Sequence, residues 1–440
     1  YSDLEKAMDE EEMYIPSYPA SKNICTIGGM VANNAAGADT YRYGHTAQYV
    51  RALNVVLEDG QEYHIRPLEY NEFTTELERD DKLGEIYRHI WELCLHHEEL
   101  LIKARPQTRK NSAGYALWDV VSTTVEEFVQ GRGVFDLTQI LSGSQGTLGI
   151  ISRIWIQAVP KPQGTVLLSV PVYSTELTGE IIQHISHYHP INIELFDGAA
   201  YQAARTHQEY FATYMNDAEF QSFKKALRAH YNLQLKRRVP EYFLLATLPA
   251  DEAAFVDKLV HELKQNYRVR ARVPSSAAEC NMLWCIRRGS YSLSKLAGPS
   301  KRPAAFLEDM TVPAEHLGDF LLGIRELFAK YNINSYVHGH GGNGHLHFYP
   351  LLDFSQADTA DNISVMAQEF FTLATSLDGT ICGEHNDGII RTPYLDTMFS
   401  QEILEIFAQL ERVCDPQDIF NPGKKVRPRF KLKEVIRHTN

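Results

Sequence analysis

Tyr336-Val337-His338-Gly339-His340-Gly341-Gly342-Asn343-Gly344-His345-Leu346-His347-Phe348 is the stretch on which the fold turns. Gly-Gly-Asn-Gly tolerates positive φ, so 341–344 reads as a hairpin loop between strands 334–340 and 345–351. Alternate side chains of a strand share a face. His338 and His340 therefore share one, as do His345 and His347, and the loop sets His340 opposite His345 and His338 opposite His347. Opposed imidazoles lie close enough for two of them to bind one metal ion. The alternative, histidines of core or surface with no ion, stays open, and His338 and His345, taken singly, read as structural. Gly383-Glu384-His385-Asn386 follows the turn Asp378-Gly379 and offers a third ligand. Two histidines and a carboxylate with one open position suit a catalytic divalent ion. In extended chain Glu384 and His385 point opposite ways, so one can bind metal while the other faces a substrate.

Outward from the hairpin, strands are expected at 165–173, 190–196, 242–248, 268–273 and 304–310. Amphipathic helices are expected from Pro313, with Leu317, Phe320, Leu321, Ile324, Leu327 and Phe328 on one stripe, and across Ile403 to Val413. Strands mixed with helices without regular βαβ spacing predict an α+β domain with an antiparallel sheet. Pro160-Lys161-Pro162-Gln163-Gly164 marks its start. Before it, 24–66 reads as short β-type runs with glycine turns, 51–57 as a strand entering the turn 58–61, 83–94 as one helix face and 150–156 as a strand. Residues 424–437 read as a basic surface tail.

Two segments are dense in small residues: Thr26-Ile27-Gly28-Gly29-Met30-Val31-Ala32-Asn33-Asn34-Ala35-Ala36-Gly37, with Arg42-Tyr43-Gly44 after it, and Gly143-Ser144-Gln145-Gly146-Thr147-Leu148-Gly149-Ile150-Ile151. Small residues let a flat ligand reach backbone amides. Neither segment is a dinucleotide fingerprint or a P-loop, and each reads equally as a set of turns. Lys110-Asn111-Ser112-Ala113-Gly114-Tyr115 and Asn421-Pro422-Gly423-Lys424 carry less signal.

The 440 residues are 44% apolar and 22% charged, an ordinary globular balance with room for two or three domains. The net charge of -13 argues against nucleic acid as the main partner. No apolar run approaches the ~20 residues that span a bilayer, so a transmembrane segment is not expected. Six scattered cysteines without a CxxC pair suit neither an iron–sulfur cluster nor a disulfide framework and point to the cytoplasm. The start at Tyr1 has no initiator Met, basic segment or apolar signal, and reads as a trimmed front.

In order, these motifs resemble the flavin-dependent 2-hydroxy-acid dehydrogenases of the vanillyl-alcohol-oxidase superfamily: D-lactate, glycolate and D-2-hydroxyglutarate dehydrogenases. The resemblance rests on Thr26-Ile27-Gly28-Gly29 with Asn33 and Gly37, Tyr43-Gly44, Gly143-Ser144, Gly146-Thr147-Leu148-Gly149, Glu308-Asp309 before Val312-Pro313, Gly339-His340, Leu346-His347, Gly383-Glu384-His385 and Asn421-Pro422-Gly423-Lys424. It implies an FAD-binding domain of the PCMH type over 1–158 that lacks its first part, a substrate cap over 159–425 and a basic tail over 426–440. Thr26, Gly28, Gly29, Asn33, Gly37, Tyr43 and Gly44 would border the flavin. Gly143, Ser144, Gly146, Thr147, Gly149 and Ile151 would bond its pyrophosphate, ribityl chain and ring edge, and Asn421 would reach back to it. His340, His347 and Glu384 match the metal ligands, zinc before manganese or iron, and His385 the general base. Arg287 matches the arginine that binds a substrate carboxylate, the alternative being a salt bridge between domains.

The implied reaction oxidises a D-2-hydroxy acid to a 2-oxo acid: the metal lowers the hydroxyl pKa, His385 takes the proton and the Cα hydride passes to flavin N5. The implied electron acceptor is a quinone, a carrier flavoprotein or an iron–sulfur domain. A membrane-peripheral location and a homo-oligomer are both compatible with it. The rivals are the ether-lipid synthase branch, a non-redox alkyl transfer that Gly383-Glu384-His385 disfavours, and an inactive flavin-domain remnant. Three departures stand out. The Arg-Gly-Gly-Gly pyrophosphate loop that opens the family's FAD domain is absent. Gly342-Asn343-Gly344-His345 replaces Gly-Asp-Gly-Asn, and family lysines fall on Leu307 and Arg391.

Overall fold

Ser335–His340 and His345–Leu352 pair antiparallel in the expected register, His338 opposite His347 and His340 opposite His345. Gly344 needs its glycine: φ is +67°, and a Cβ there would sit 1.8 Å from the Val312 carbonyl oxygen. The computed structural model describes residues 1–232, 238–298, 301–356 and 358–435. Contacts divide them into two units, one of Tyr1–Lys161 with Thr380–Val435 and one of Pro162–Gly379.

In the second unit the described residues form a seven-stranded antiparallel sheet. Its order is Met310–Thr311, His345–Leu352, Ser335–His340, Asn192–Asp197, Tyr242–Pro249 and Thr165–Val172, with Arg302–Pro303 on the far end of His345–Leu352. The expected strand 304–310 is thus two short pairs flanking a turn, and 268–273 contributes only a bridge from Arg272 to Ser169. Alternation places all four hairpin histidines on one face, together with Glu194 and Phe196 of the neighbouring strand. Helix Ala277–Ser294 covers that face, with Tyr291 packed 4.6 Å from Tyr349 and Met282, Leu283 and Ile286 joined to Phe196 and Phe243 in one core. The opposite face takes helix Leu317–Lys330, whose Phe320 meets Phe348 edge-on at 5.7 Å.

His230, at the end of helix Asp217–His230, gives this unit a pH signature. Burial and the Arg272 guanidinium lower it to about 4 from 6.5, and its Nδ1 shares a 2.9 Å hydrogen bond with the Tyr201 hydroxyl. The unfolded chain takes this proton near pH 6.5 and the folded one only near 4, so stability falls as pH drops through that window. At about 1.4 kcal/mol per pH unit the loss is about 3 kcal/mol. Thermal melts should show a shallower acid slope for His230→Gln than for the parent. Asp197, raised to about 7 by burial, contributes the opposite slope to both proteins and cancels in the comparison.

In the first unit, Val50–Val56 is the centre of a three-stranded antiparallel sheet, between Glu62–Ile65 and Ile150–Ile156. Asp59-Gly60 makes the expected turn, with Gly60 at φ +76°. Helix Lys82–Ala104 is capped by Asp81, whose side chain accepts from the Gly84 amide, and buries Leu83, Ile86, Tyr87, Ile90 and Leu93. The stretch read as β-type near 26 is instead the helix Ile27–Ala32: the Thr26 hydroxyl accepts from the Gly29 amide at 3.0 Å, an N-cap that outweighs the glycines.

The passage between units falls at Lys161–Pro162, and residues Thr380–Val435 pack with the first unit. The apolar stripe of helix Gln401–Cys414 explains this, since Phe407 meets Tyr115 at 5.7 Å and Trp118 at 6.4 Å. Val426 and Leu432, in the stretch read as a surface tail, are buried, and 436–440 lie outside the described residues. All six cysteines are free thiols. No helix among the described residues is long and apolar enough to cross a membrane.

Candidate functional site

Four sequence-distant segments of the first unit are stitched together by amide side chains. Asn33 donates to the Glu384 carbonyl at 2.8 Å, and Asn386 donates to the carbonyls of Gly143 at 2.9 Å and Asn33 at 3.3 Å. Asn421 donates to the Gln145 carbonyl at 2.7 Å. The backbone is strained at the same places: Asn34, Gln145, Asn386 and Asn421 all have positive φ, at 49°, 56°, 69° and 44°. Side chains other than glycine rarely adopt that region unless the surroundings enforce it, and such residues cluster at ligand sites.

A cavity of about 320 Å³ opens among these segments, lined by Gly29, Asn33, Ala35, Ala36, Glu384 and His385, among others. A Cβ at Gly28 or Gly146 would meet open space, as the backbone of a flat-ligand cradle requires. Other residues expected to border a cofactor also take part in the unit's own packing. A Cβ at Gly37 would lie 2.1 Å from the Tyr18 carbonyl oxygen, and one at Gly149 2.8 Å from a Val55 methyl. Gly44 ends the short helix Thr40–Tyr43, and the Tyr43 carbonyl accepts from the Tyr49 hydroxyl. Ser144 donates to the Leu141 carbonyl at 2.9 Å, Thr147 to the Ser144 carbonyl at 2.8 Å, and Ile151 pairs with Val55.

Lys110, in a segment that carries little signal in sequence, ends 2.6 Å from the Glu384 carboxylate with its side chain fully buried. A second buried lysine, Lys425, holds Asp387 at 3.1 Å and donates to the carbonyls of Ser112 and Gly114 at 2.9 and 2.7 Å. The legible signal was a lysine entering the small-residue run Asn111-Ser112-Ala113-Gly114. Lys110→Met leaves Glu384 as a buried charge without its ammonium and should cost about 3–5 kcal/mol in urea unfolding. Lys110→Arg, keeping the charge, should lose less.

In the second unit, one ring nitrogen from each of His340, His345 and His347 lies within 4.8 Å of the others, and all three residues are buried. The rings of His345 and His347 stand 4.6 Å apart. His345, read as structural, is held by Asp309 at 2.9 Å and still offers a nitrogen to this cluster. Asp309 is buried at φ +90°, a further strained position. Glu308 lies 3.5 Å from His347 Nδ1. Burial, with the Arg287 guanidinium next, holds His338 well below the usual imidazole range, so its ring is neutral. It stacks on Tyr349 at 5.3 Å.

Arg287 is buried on helix Ala277–Ser294 and donates to Glu194 Oε2 at 2.7 Å. The ion pair lies within the second unit. Its Nε is buried and has no hydrogen-bond partner among the described residues, which leaves a donor for a ligand carboxylate. Glu194 Oε1 also lies 2.6 Å from His340 Nδ1. Sequence reasoning missed Glu194; the visible signal was an acid on the inward face of an apolar strand, Asn192–Asp197. Buried imidazole nitrogens at this spacing, backed by carboxylates, fit a borderline divalent cation such as zinc, and the cavity walled by Gly29, Ala35 and Ala36 fits a flavin ring edge.

Residues 161–425 match the family of FAD linked oxidases, C-terminal domain, and residues 1–66 match the FAD binding domain family. Among curated proteins, a D-2-hydroxyglutarate dehydrogenase of Escherichia coli is 24% identical over 93% of this chain and 39% of its own length. Glycolate oxidase subunit GlcD of Bacillus subtilis is 25% identical over 96% of this chain and 72% of its own. A D-lactate dehydrogenase of Anaerostipes hadrus is 23% identical over 96% and 73%. The chain thus spans about two fifths of the D-2-hydroxyglutarate dehydrogenases it matches. Among solved structures, 4-ethylphenol oxidase from Gulosibacter chungangensis aligns with a TM-score of 0.58 at 13% identity, covering 97% of this chain and 74% of that one. An alkyldihydroxyacetonephosphate synthase aligns with a TM-score of 0.55 at 14% identity, covering 96% and 62%. At these identities the likeness is one of fold.

Proposed function

The chain belongs to the FAD-linked oxidase family, and on that premise we propose that it oxidises a D-2-hydroxy acid to the 2-oxo acid. The observation that carries this reading is a shared cavity: Gly29 and Asn33, expected at the flavin, line the same space as His385, expected to be the base. FAD, when bound, supplies the two-electron acceptor, and a divalent ion supplies positive charge for the substrate oxygens.

The chain's own residues do the rest. The first unit holds FAD through the helix at Ile27–Ala32 and the loop 143–149. His340, His347 and Glu384 hold the ion, zinc by preference for nitrogen ligands, with manganese or iron also suited. Arg287 takes the substrate carboxylate, using the Nε that has no partner among the described residues. His385 accepts the hydroxyl proton on its imidazole. A quinone, a carrier flavoprotein or an iron–sulfur domain receives the electrons afterwards.

Anaerobic mixing of the flavin-loaded chain with D-lactate, glycolate or D-2-hydroxyglutarate tests the proposal. The flavin's visible absorbance should bleach with at least one of them and not with the L-acids. Flavin that stays oxidised with every 2-hydroxy acid but responds to an ether-lipid precursor would assign the chain to alkyl transfer instead.

A further inference from the structure

We propose that Glu194 is a positioning residue that sets both halves of the substrate site at once, aiming His340 at the ion and Arg287 at the substrate carboxylate. The inference rests on the metal and substrate roles proposed above. Glu194 sits in the strand Asn192–Asp197 between Ile193 and Leu195, which are 1% and 0% exposed, and is itself 2% exposed. An isolated carboxylate there would be costly, so it is kept by its partners. The strand pairs with Ser335–His340, Leu195 opposite Gly339 and Phe196 opposite His338, which turns Glu194 toward the imidazole face.

Its two oxygens are divided. Oε1 lies 2.6 Å from His340 Nδ1 and Oε2 lies 2.7 Å from the Arg287 guanidinium. A carboxylate acceptor at Nδ1 selects the tautomer that carries its proton there and leaves the Nε2 lone pair for a metal. The same carboxylate pins one arm of the guanidinium fork, which fixes its plane and the direction of the remaining N–H groups. Glu194 acts in this arrangement through His340 and Arg287. Metal affinity and substrate binding are therefore coupled through one side chain.

The test compares the full flavin-loaded chain with Glu194→Gln and Glu194→Asp. Zn²⁺ affinity of metal-stripped protein is read by competition with a chromophoric chelator, and the visible spectrum of Co²⁺-loaded protein reports ligand geometry. KM and kcat are taken with whichever 2-hydroxy acid reduces the parent's flavin. Glu194→Gln should weaken Zn²⁺ binding by about 10–100-fold, the range typical of outer-sphere partners of ligating histidines. It should also change the Co²⁺ spectrum and raise KM more than it lowers kcat at saturating metal, with FAD content unchanged. Glu194→Asp keeps the charge one methylene shorter and should recover part of both losses. Should Glu194→Gln fail to fold, Glu194→Asp must still show the paired shift in Zn²⁺ affinity and KM. Parental Zn²⁺ affinity and KM in the folded variants would overturn the role of Glu194 alone. A parent chain that binds no Zn²⁺ would overturn the metal reading itself and this inference with it.

Discussion

On the proposed roles, replacing His347 with alanine should strip the protein of the divalent ion and abolish flavin reduction by substrate, while FAD stays bound. His347 is 5% exposed, with its ring 4.6 Å from that of His345 and 5.9 Å from that of His340. Catalytic zinc sites keep three protein ligands, so losing one leaves a set too poor to retain the ion. The loss should exceed the roughly 10–100-fold controlled by outer-sphere partners. The first-unit residues proposed to hold the flavin are untouched, which separates metal loss from flavin loss in one preparation. His338→Ala is the control. It removes a neutral ring from the register position opposite His347 and so reproduces the packing defect without removing a proposed ligand. Metal analysis and anaerobic reduction of both variants check the prediction; equal metal loss in the two would make packing, not ligation, the explanation.

His385→Ala should slow flavin reduction by about 10²–10⁴, the usual contribution of a general base, and leave metal content and FAD unchanged. The His385 side chain is 43% exposed, with Nε2 3.4 Å from Glu384 Oε1, on the wall of the cavity that Gly29 and Asn33 also line. An exposed ring carries little packing energy, so the melting temperature should hardly move. The two variants therefore split cleanly: His347→Ala loses metal and rate, His385→Ala rate alone. Normal rates in His385→Ala would transfer the proton to another acceptor and overturn the base assignment.

The parts legible in sequence are those decided within a few residues. The length of the Gly341–Gly344 loop set the hairpin register, and register alone put His338, His340, His345 and His347 on one face. Periodicity marked the buried stripes of Lys82–Ala104, Leu317–Lys330 and Gln401–Cys414. Where a local signal misled, a competing local interaction prevailed, as at Thr26, whose hydroxyl caps a helix through glycines that read as turns.

What tertiary structure alone decided is which partner each buried charge meets. Lys110 meets Glu384 across 274 positions, Glu194 meets His340 across 146, and Asp309 meets His345 across 36. The same holds for the return of 380–435 to the first unit. The reason is physical: alternation and helical spacing dictate the face a side chain takes, because they follow from backbone geometry. The neighbour waiting on that face depends on how the chain comes back, and a buried ion leaves no periodic trace of its counterion.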